Sequence, residues 1–281
     1  MPVGTAWTGS AAIAVAPNGA RKTKADHPAV PLTGGELALC AAECLEAGAA
    51  MIHVHIRRPD GGHLLDAGVY ADVTRQIRST VADRLVIQIT SEAFGLYRAG
   101  EQMQVVRAVR PEAVSLALRE LLPDGSDATE FAAFMMWCRT ERVMPQIILY
   151  SADEARRLAD LKARGIVPFD DVPVLYVLGR YSSGQTAQPA DLLPFIGADA
   201  PAFRHWSVCA FGRHETACVL AAAILGGDVR VGFENNEHLP DGRRAASNAD
   251  LVGATRHAMA AAGIACTDAD ALRRSWAEMR G

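Results

Sequence analysis

Aromatic residues are scarce in this 281-residue chain, at 6%, and basic charge is not in excess: 28 Lys and Arg stand against 32 Asp and Glu, for a formal net charge of −4. A surface that tracks phosphates and stacks bases needs both, so nucleic acid is excluded as a partner. No run approaches the roughly 20 consecutive apolar residues that span a bilayer. The apolar segment around 221–225 is short and ends in Gly226-Gly227, which argues against membrane insertion. The six cysteines contain no CxxC pair, and Cys40 and Cys44 sit among Leu and Ala as small core residues. The N-terminus lacks the basic flank and apolar stretch of a secretory signal, and reducing cytoplasm is the expected compartment. Half of the residues are apolar, which excludes a disordered chain. Barrels routinely reach about 250 residues as one domain, so the expectation is a single domain over 1–281 with a C-terminal helical extension.

What is present is an alternation. Short apolar runs precede Ala/Leu-rich helical stretches: 11–16 before 33–47, 50–56 before 68–79, 85–89 before 96–109, 113–116 before 128–140, and 145–150 before 152–164. Three more units follow: 172–178 with a helix beginning near Pro189, 203–208 with 214–225, and 229–233 with 248–262. The runs are apolar on both faces, as in parallel strands covered by helices on one side and filling a core on the other. Eight such units, with no GxGxxG after the first strand, predict an α/β fold of the (β/α)8 TIM-barrel type; a doubly wound open sheet is the rival.

In a barrel, side chains at the C-terminal strand ends face the mouth, where function is sought. His53 and His55 alternate on the second strand and so point the same way, about 6.6 Å apart along it. They are a candidate pair of metal ligands or a satisfied histidine pair. Glu234 follows the apolar eighth run, where an unpaired carboxylate is costly to bury. Closure of the ring brings it beside the histidines, and two His with one carboxylate leave open positions on a catalytic zinc; iron or manganese sites look alike. The competing reading pairs Glu234 with Arg230. Thr90, Ser91 and Glu92 end the third strand as hydroxyl and carboxylate candidates or as a helix N-cap. Asn18 and Arg21, in the polar turn after the first strand, are candidates to bind substrate, although a basic loop is often only solvated.

Several segments together resemble the β-keto acid cleavage enzyme family. They are Asn18-Gly19-Ala20, the HxHxR stretch from His53 to Arg57 with Pro59-Asp60-Gly61, Phe211-Gly212-Arg213-His214, the GGxVRVGxE stretch from Gly226 to Glu234 with Asn235-Asn236, and 247–252. They run in order across nearly the whole chain. The resemblance implies a (β/α)8 barrel that holds one divalent metal, usually zinc (Zn2+). It also implies exchange of a β-keto acid with acetyl-CoA, through Claisen and retro-Claisen steps, to give acetoacetate and a new acyl-CoA. By position, His53, His55 and Glu234 match the metal ligands, Arg230 the arginine of the polar network, and Ser91 the hydroxyl after the third strand. A slip of one would make Thr90 the equivalent. The resemblance also implies a homo-oligomer.

Two departures bear on chemistry. The family carries an aspartate directly after the metal-binding glutamate, and here that residue is Asn235, whose carboxamide cannot accept a proton at neutral pH. Glu92 is the substitute carboxylate to consider, or Asn235 orients while another group serves. The position matched by Arg21 is acidic in the family's type member, so a guanidinium here favours a substrate tail bearing a carboxylate or a neutral hydroxyl, with a β-keto dicarboxylic acid as the natural expectation. Arg119 is a second candidate for that carboxylate, unless it pairs with Glu120. Three readings stand at this point: a metal-dependent acyl-transferring cleavage enzyme, a metal-assisted hydrolase or aldolase, and a metal-binding relative without the acyl transfer.

Overall fold

The computed structural model describes residues 9–279. Eight parallel strands close into a ring: β1 (Ser10–Val15), β2 (Met51–Val54), β5 (Val86–Thr90), β6 (Ala113–Ala117), β7 (Met144–Leu149), β8 (Val174–Leu178), β9 (Trp206–Ala210) and β10 (Asp228–Val231). Neighbours pair in chain order, and β10 pairs with β1 through Ile13 opposite Val229 and Ala14 opposite Arg230. The expected barrel is therefore closed, and the open-sheet alternative is ruled out.

Helices α1 (Gly34–Ala47), α2 (Ala67–Val81), α3 (Ala99–Val109), α4 (Leu118–Leu121), α5 (Thr129–Thr140), α6 (Ala152–Ala163), α7 (Leu193–Ile196), α8 (Glu215–Ile224) and α9 (Asn248–Ala261) connect the strands. Local chemistry sets their starts. Thr33 accepts from the Glu36 amide while Glu36 reaches back, and Ser247 and Asp250 repeat the box at α9. The sixth unit is the weakest helix: a 3-10 turn over Pro189–Leu192 leads into the one-turn α7.

The second run divides. Only Met51–Val54 joins the barrel, and the chain then leaves it so that β3 (Ile56–Arg57) pairs antiparallel with β4 (His63–Leu64) in a small hairpin over the mouth. Near the C-terminus, β11 (Ala265–Thr267) adds beside the start of β1. Neither the hairpin nor β11 has a long enough run to be read from the sequence.

The alanines of β1 explain where α10 (Ala269–Glu278) goes. Ile13 and Val15 face the helices, whereas Ala12 and Ala14 face the barrel interior and leave room at its N-terminal end. Leu272, Trp276 and Met279 fill that room against Met51, Val86 and Met144. Trp276 thus plugs the barrel's own floor.

Asp228 opens β10 there, its Oδ1 accepting from the Ala12 amide at 2.7 Å. Burial pushes its pKa up to about 6. The folded state then binds this proton more tightly than the unfolded chain, so the group's contribution to stability falls as pH rises from about 4 to 6. Asp228→Asn keeps the acceptor and removes the charge. It should raise stability at pH 7.5 by about 1–2 kcal/mol, a few degrees in Tm, and the gain should vanish below about pH 4 in parallel thermal melts.

Candidate active site

Strand alternation turns His53 inward from β2, and His55, one residue past its end, follows on the same side; each is 1% exposed. Glu234 reaches them from a bend rather than a strand. β10 stops at Val231 because Gly232 adopts φ +137, and a Cβ there would lie 2.4 Å from the Ala16 carbonyl oxygen. The Glu234 amide then donates to Ala16 O at 3.1 Å, folding the loop across the end of β1. From the other side Gly19, at φ +58, lies so close that a Cβ would come within 2.6 Å of Glu234 Cγ. Two glycines thus press the loops after β1 and β10 together around one carboxylate.

The three ligand atoms lie within 4.8 Å of one another. His53 Nε2 is 3.0 Å from His55 Nε2, and the two nitrogens are 3.6 and 3.4 Å from Glu234 Oε2. Burial pushes His53 down to about 3, so its ring is neutral and able to ligate at physiological pH. Burial acts on Glu234 in the opposite sense, but Arg230 and the two imidazoles together hold its carboxyl well below the ordinary range. Arg230 Nη2 donates to Glu234 Oε1 at 3.2 Å, so the ion pair considered from sequence exists and uses only one oxygen. Oε2 is buried without a hydrogen-bond partner, facing two imidazole nitrogens. An orphaned carboxylate oxygen against nitrogen lone pairs is the donor set of a divalent cation, and two His with one Glu fit zinc.

The cavity above this cluster has a volume of about 410 Å³. Thr90, Glu92, Arg21, Arg230 and Asn235 contribute to its wall. Glu92 Oε2 stands 3.6 Å from His55 Nδ1, on the side away from Glu234. Asn235 turns its Oδ1 to Arg230 Nη2 at 3.4 Å, and since a guanidinium only donates, the amide NH2 must face away; it is buried with no acceptor. Arg21 lies over the Phe94 ring at 4.5 Å, and no carboxylate pairs with it among the described residues.

Three sequence candidates lie outside the cavity wall. Ser91 alternates away from the mouth and donates towards Gln102 Oε1 and Ser115 O, both at 3.3 Å, leaving Thr90 as the hydroxyl that faces the cavity. Asn18 is fully buried; its Nδ2 donates to Pro31 O and His55 O, and its Oδ1 accepts from the His55 amide, so it fastens the histidine backbone. Arg119 rides on α4, where Glu154 holds it at 2.6 Å and Tyr150 and Tyr181 flank its guanidinium. Neither the mouth nor Glu120 receives it, because Glu120 accepts from the Ala93 amide. Sequence reasoning missed Arg180, Tyr150 and Ile148 in the cavity wall, and Gln88, which contacts His53 Nδ1 at 2.8 Å. Only Gln88 carried a signal, as a polar residue on the inward register two places before Thr90.

If the packing of Gly19 sets the position of Glu234, Gly19→Ala should displace that carboxylate. The expected result is a loss of zinc affinity of at least about tenfold, measured by chelator competition. The left-handed backbone adds a stability penalty of roughly 1–2 kcal/mol.

Comparison with known proteins fits this geometry. The family model for beta-keto acid cleavage enzyme matches residues 10–276. A 3-keto-5-aminohexanoate cleavage enzyme from Fusobacterium nucleatum is 29% identical over 251 residues, covering 83% of this chain and 85% of the relative. A 3-oxoadipate:acetyl-CoA acetyltransferase from Cupriavidus necator is 26% identical, covering 85% of each. Among solved structures, ObcA with oxaloacetate superposes with a TM-score of 0.68 at 17% identity, over 89% of this chain and 67% of that one, a likeness of fold alone. With a family model spanning all eight strands and the three converging side chains, this chain belongs to the β-keto acid cleavage enzyme family.

Proposed function

We propose that this chain is a zinc-dependent acyltransferase that exchanges a β-keto acid with acetyl-CoA to give acetoacetate and a new acyl-CoA. The orphaned Oε2 of Glu234, facing the Nε2 atoms of two imidazoles at the floor of the cavity, carries the reading. His53, His55 and Glu234 would hold the metal. When bound, it supplies positive charge that polarises the substrate keto group and acidifies the neighbouring CH2.

The chain's own groups do the rest. Glu92, whose carboxylate borders the cavity without a hydrogen-bond partner on it, accepts the CH2 proton. The substrate carbon then forms a bond to the acetyl carbonyl carbon, and CoA leaves as thiolate. That thiolate attacks the original keto carbon, the old carbon–carbon bond breaks, and its electron pair is reprotonated by Glu92 as acetoacetate departs. Arg230 keeps one face of Glu234 neutralised, and the free NH2 of Asn235 donates to a substrate oxygen, the reverse of a carboxylate's role at that place. Thr90 offers a hydroxyl from the third strand end.

Arg21 and Arg180 border the cavity with no carboxylate partner among the described residues, and aromatic rings support each: Phe94 under Arg21, Phe211 at 5.2 Å from Arg180. Both favour a substrate with a second carboxylate, a β-keto dicarboxylic acid. The reading extends to a single barrel domain acting within a cytoplasmic homo-oligomer.

Acetoacetate release from acetyl-CoA and a panel of β-keto acids tests the whole proposal. Turnover should require the thioester, favour dicarboxylic acids and fall below detection in His53→Ala; zinc-loaded protein inert across the panel would refute it. Glu92→Gln should lower kcat by about 10²–10⁴-fold with zinc content unchanged. Asn235→Asp should gain no rate and should raise KM by roughly tenfold, because a donor to substrate is replaced by a second carboxylate. A rate increase would return the proton-accepting role to that position.

A further inference from the structure

Gln88, Gln146 and Ser207 point into the barrel from β5, β7 and β9, with exposures of 0%, 6% and 6%. Layers at this depth ordinarily carry branched apolar side chains. Two carboxamides and a hydroxyl buried there destabilise the core unless all are hydrogen-bonded. They are joined in one line. Ser207 Oγ lies 3.1 Å from the Val174 carbonyl oxygen, Gln146 Nε2 3.0 Å from Ser207 Oγ, Gln88 Nε2 3.1 Å from Gln146 Oε1, and His53 Nδ1 2.8 Å from Gln88 Oε1.

The far end forces the direction of this line. A backbone carbonyl only accepts, so the Ser207 hydroxyl donates to Val174 and presents its lone pairs to Gln146. Gln146 must then turn its NH2 towards Ser207 and its oxygen towards Gln88. Gln88 in turn donates to Gln146 and presents its own oxygen to His53. The one arrangement that satisfies every member puts the His53 proton on Nδ1 and leaves the Nε2 lone pair facing His55 and Glu234.

We infer that Gln88, Gln146 and Ser207 are positioning residues that lock the tautomer and ring orientation of His53, and through them set the affinity of the site for a divalent cation. The inference rests on the metal reading of the site. A carboxamide in this place fixes the ring without adding a negative charge beneath a site that already holds Glu234 and Glu92.

Zinc affinity of purified, metal-stripped protein, measured by chelator competition, tests it. Gln88→Leu should raise the zinc Kd about 10–100-fold while circular dichroism stays native. Gln88→Glu should stay within about threefold of wild type, since a carboxylate accepts the same Nδ1–H; Gln146 must then turn about to donate to it, and Ser207 must release Val174 to donate to the Gln146 oxygen. Gln146→Leu touches no proposed ligand, yet should weaken zinc by about threefold or more by freeing the Gln88 amide to rotate. Nitrogen-15 NMR of the metal-free protein should find the His53 proton on Nδ1 in wild type and a tautomer mixture in Gln146→Leu. Zinc Kd values within about twofold of wild type in both leucine variants would overturn the inference, as would Gln88→Glu losing as much as Gln88→Leu. If Gln88→Leu does not fold, Gln146→Leu and Ser207→Ala decide. Wild-type protein without zinc affinity would instead bring down the metal reading, and this inference with it.

Discussion

The structure turns on one partly buried carboxylate whose two oxygens have different surroundings. Glu234 gives Oε1 to Arg230 and aims Oε2 at His53 and His55. Removing a carboxylate from water is costly, and a single guanidinium on one edge offsets only part of that cost. In the proposed function, a cation where the imidazole nitrogens meet offsets the remainder. Arg230 is itself held by Cys209 Sγ and Asn235 Oδ1, so the guanidinium cannot swing across to take both oxygens. The division of labour is thus built into the surrounding strands.

Much of the mouth exists to hold that carboxylate in place. Arg57, from the hairpin strand β3, reaches under the loop after β1 and donates to the carbonyls of Gly19, Lys22 and Gly61. Asn18 ties the same loop to the backbone of His55. On the opposite side Glu215, deep in the start of α8, accepts from the Gly232 amide and from Asn236 Nδ2. Both loops are therefore fastened by buried polar groups, and their glycines leave no room for another carbon, Gly19 against the stem of Glu234 and Gly232 against the Ala16 carbonyl. Such a site is organised before any ligand arrives, which reduces the ordering entropy that binding would otherwise carry.

The barrel and the meeting of His53, His55 and Glu234 were legible because both follow regular rules. Two-residue alternation placed His53 beside His55, and ring closure placed the end of β10 next to β1 and β2. What was not legible depended on single-residue register or on local competition. One step along β5 separates Thr90 in the cavity from Ser91 behind it. Arg119 looked available until α4 set it beside Glu154, a partner 35 residues away. Asn18 matched a family segment, yet its side chain is consumed by backbone groups, a use that no local pattern distinguishes from substrate contact. The line from Gln88 to Ser207 joins strands 58 and 61 residues apart at its two links, and no motif in one strand announces a partner in another.

Charge balance links the departures from the family pattern. With a divalent cation beside Glu234, and Arg230 and Glu92 flanking it, the floor of the cavity is net positive, and the neutral Asn235 and the neutral Gln88 both preserve that sign. A carboxylate at either place would reduce the attraction for a substrate that is itself anionic. Arg21 and Arg180 extend the same sign to the rim. Neutral side chains below and cations above make sense together for a ligand with negative charge at both ends, and a shorter, singly charged acid would leave the rim guanidinia with only their aromatic supports. In the proposed function the amide at 235 takes part in the selection of substrate, because the oxygen it can donate to is one that a carboxylate in its place would repel.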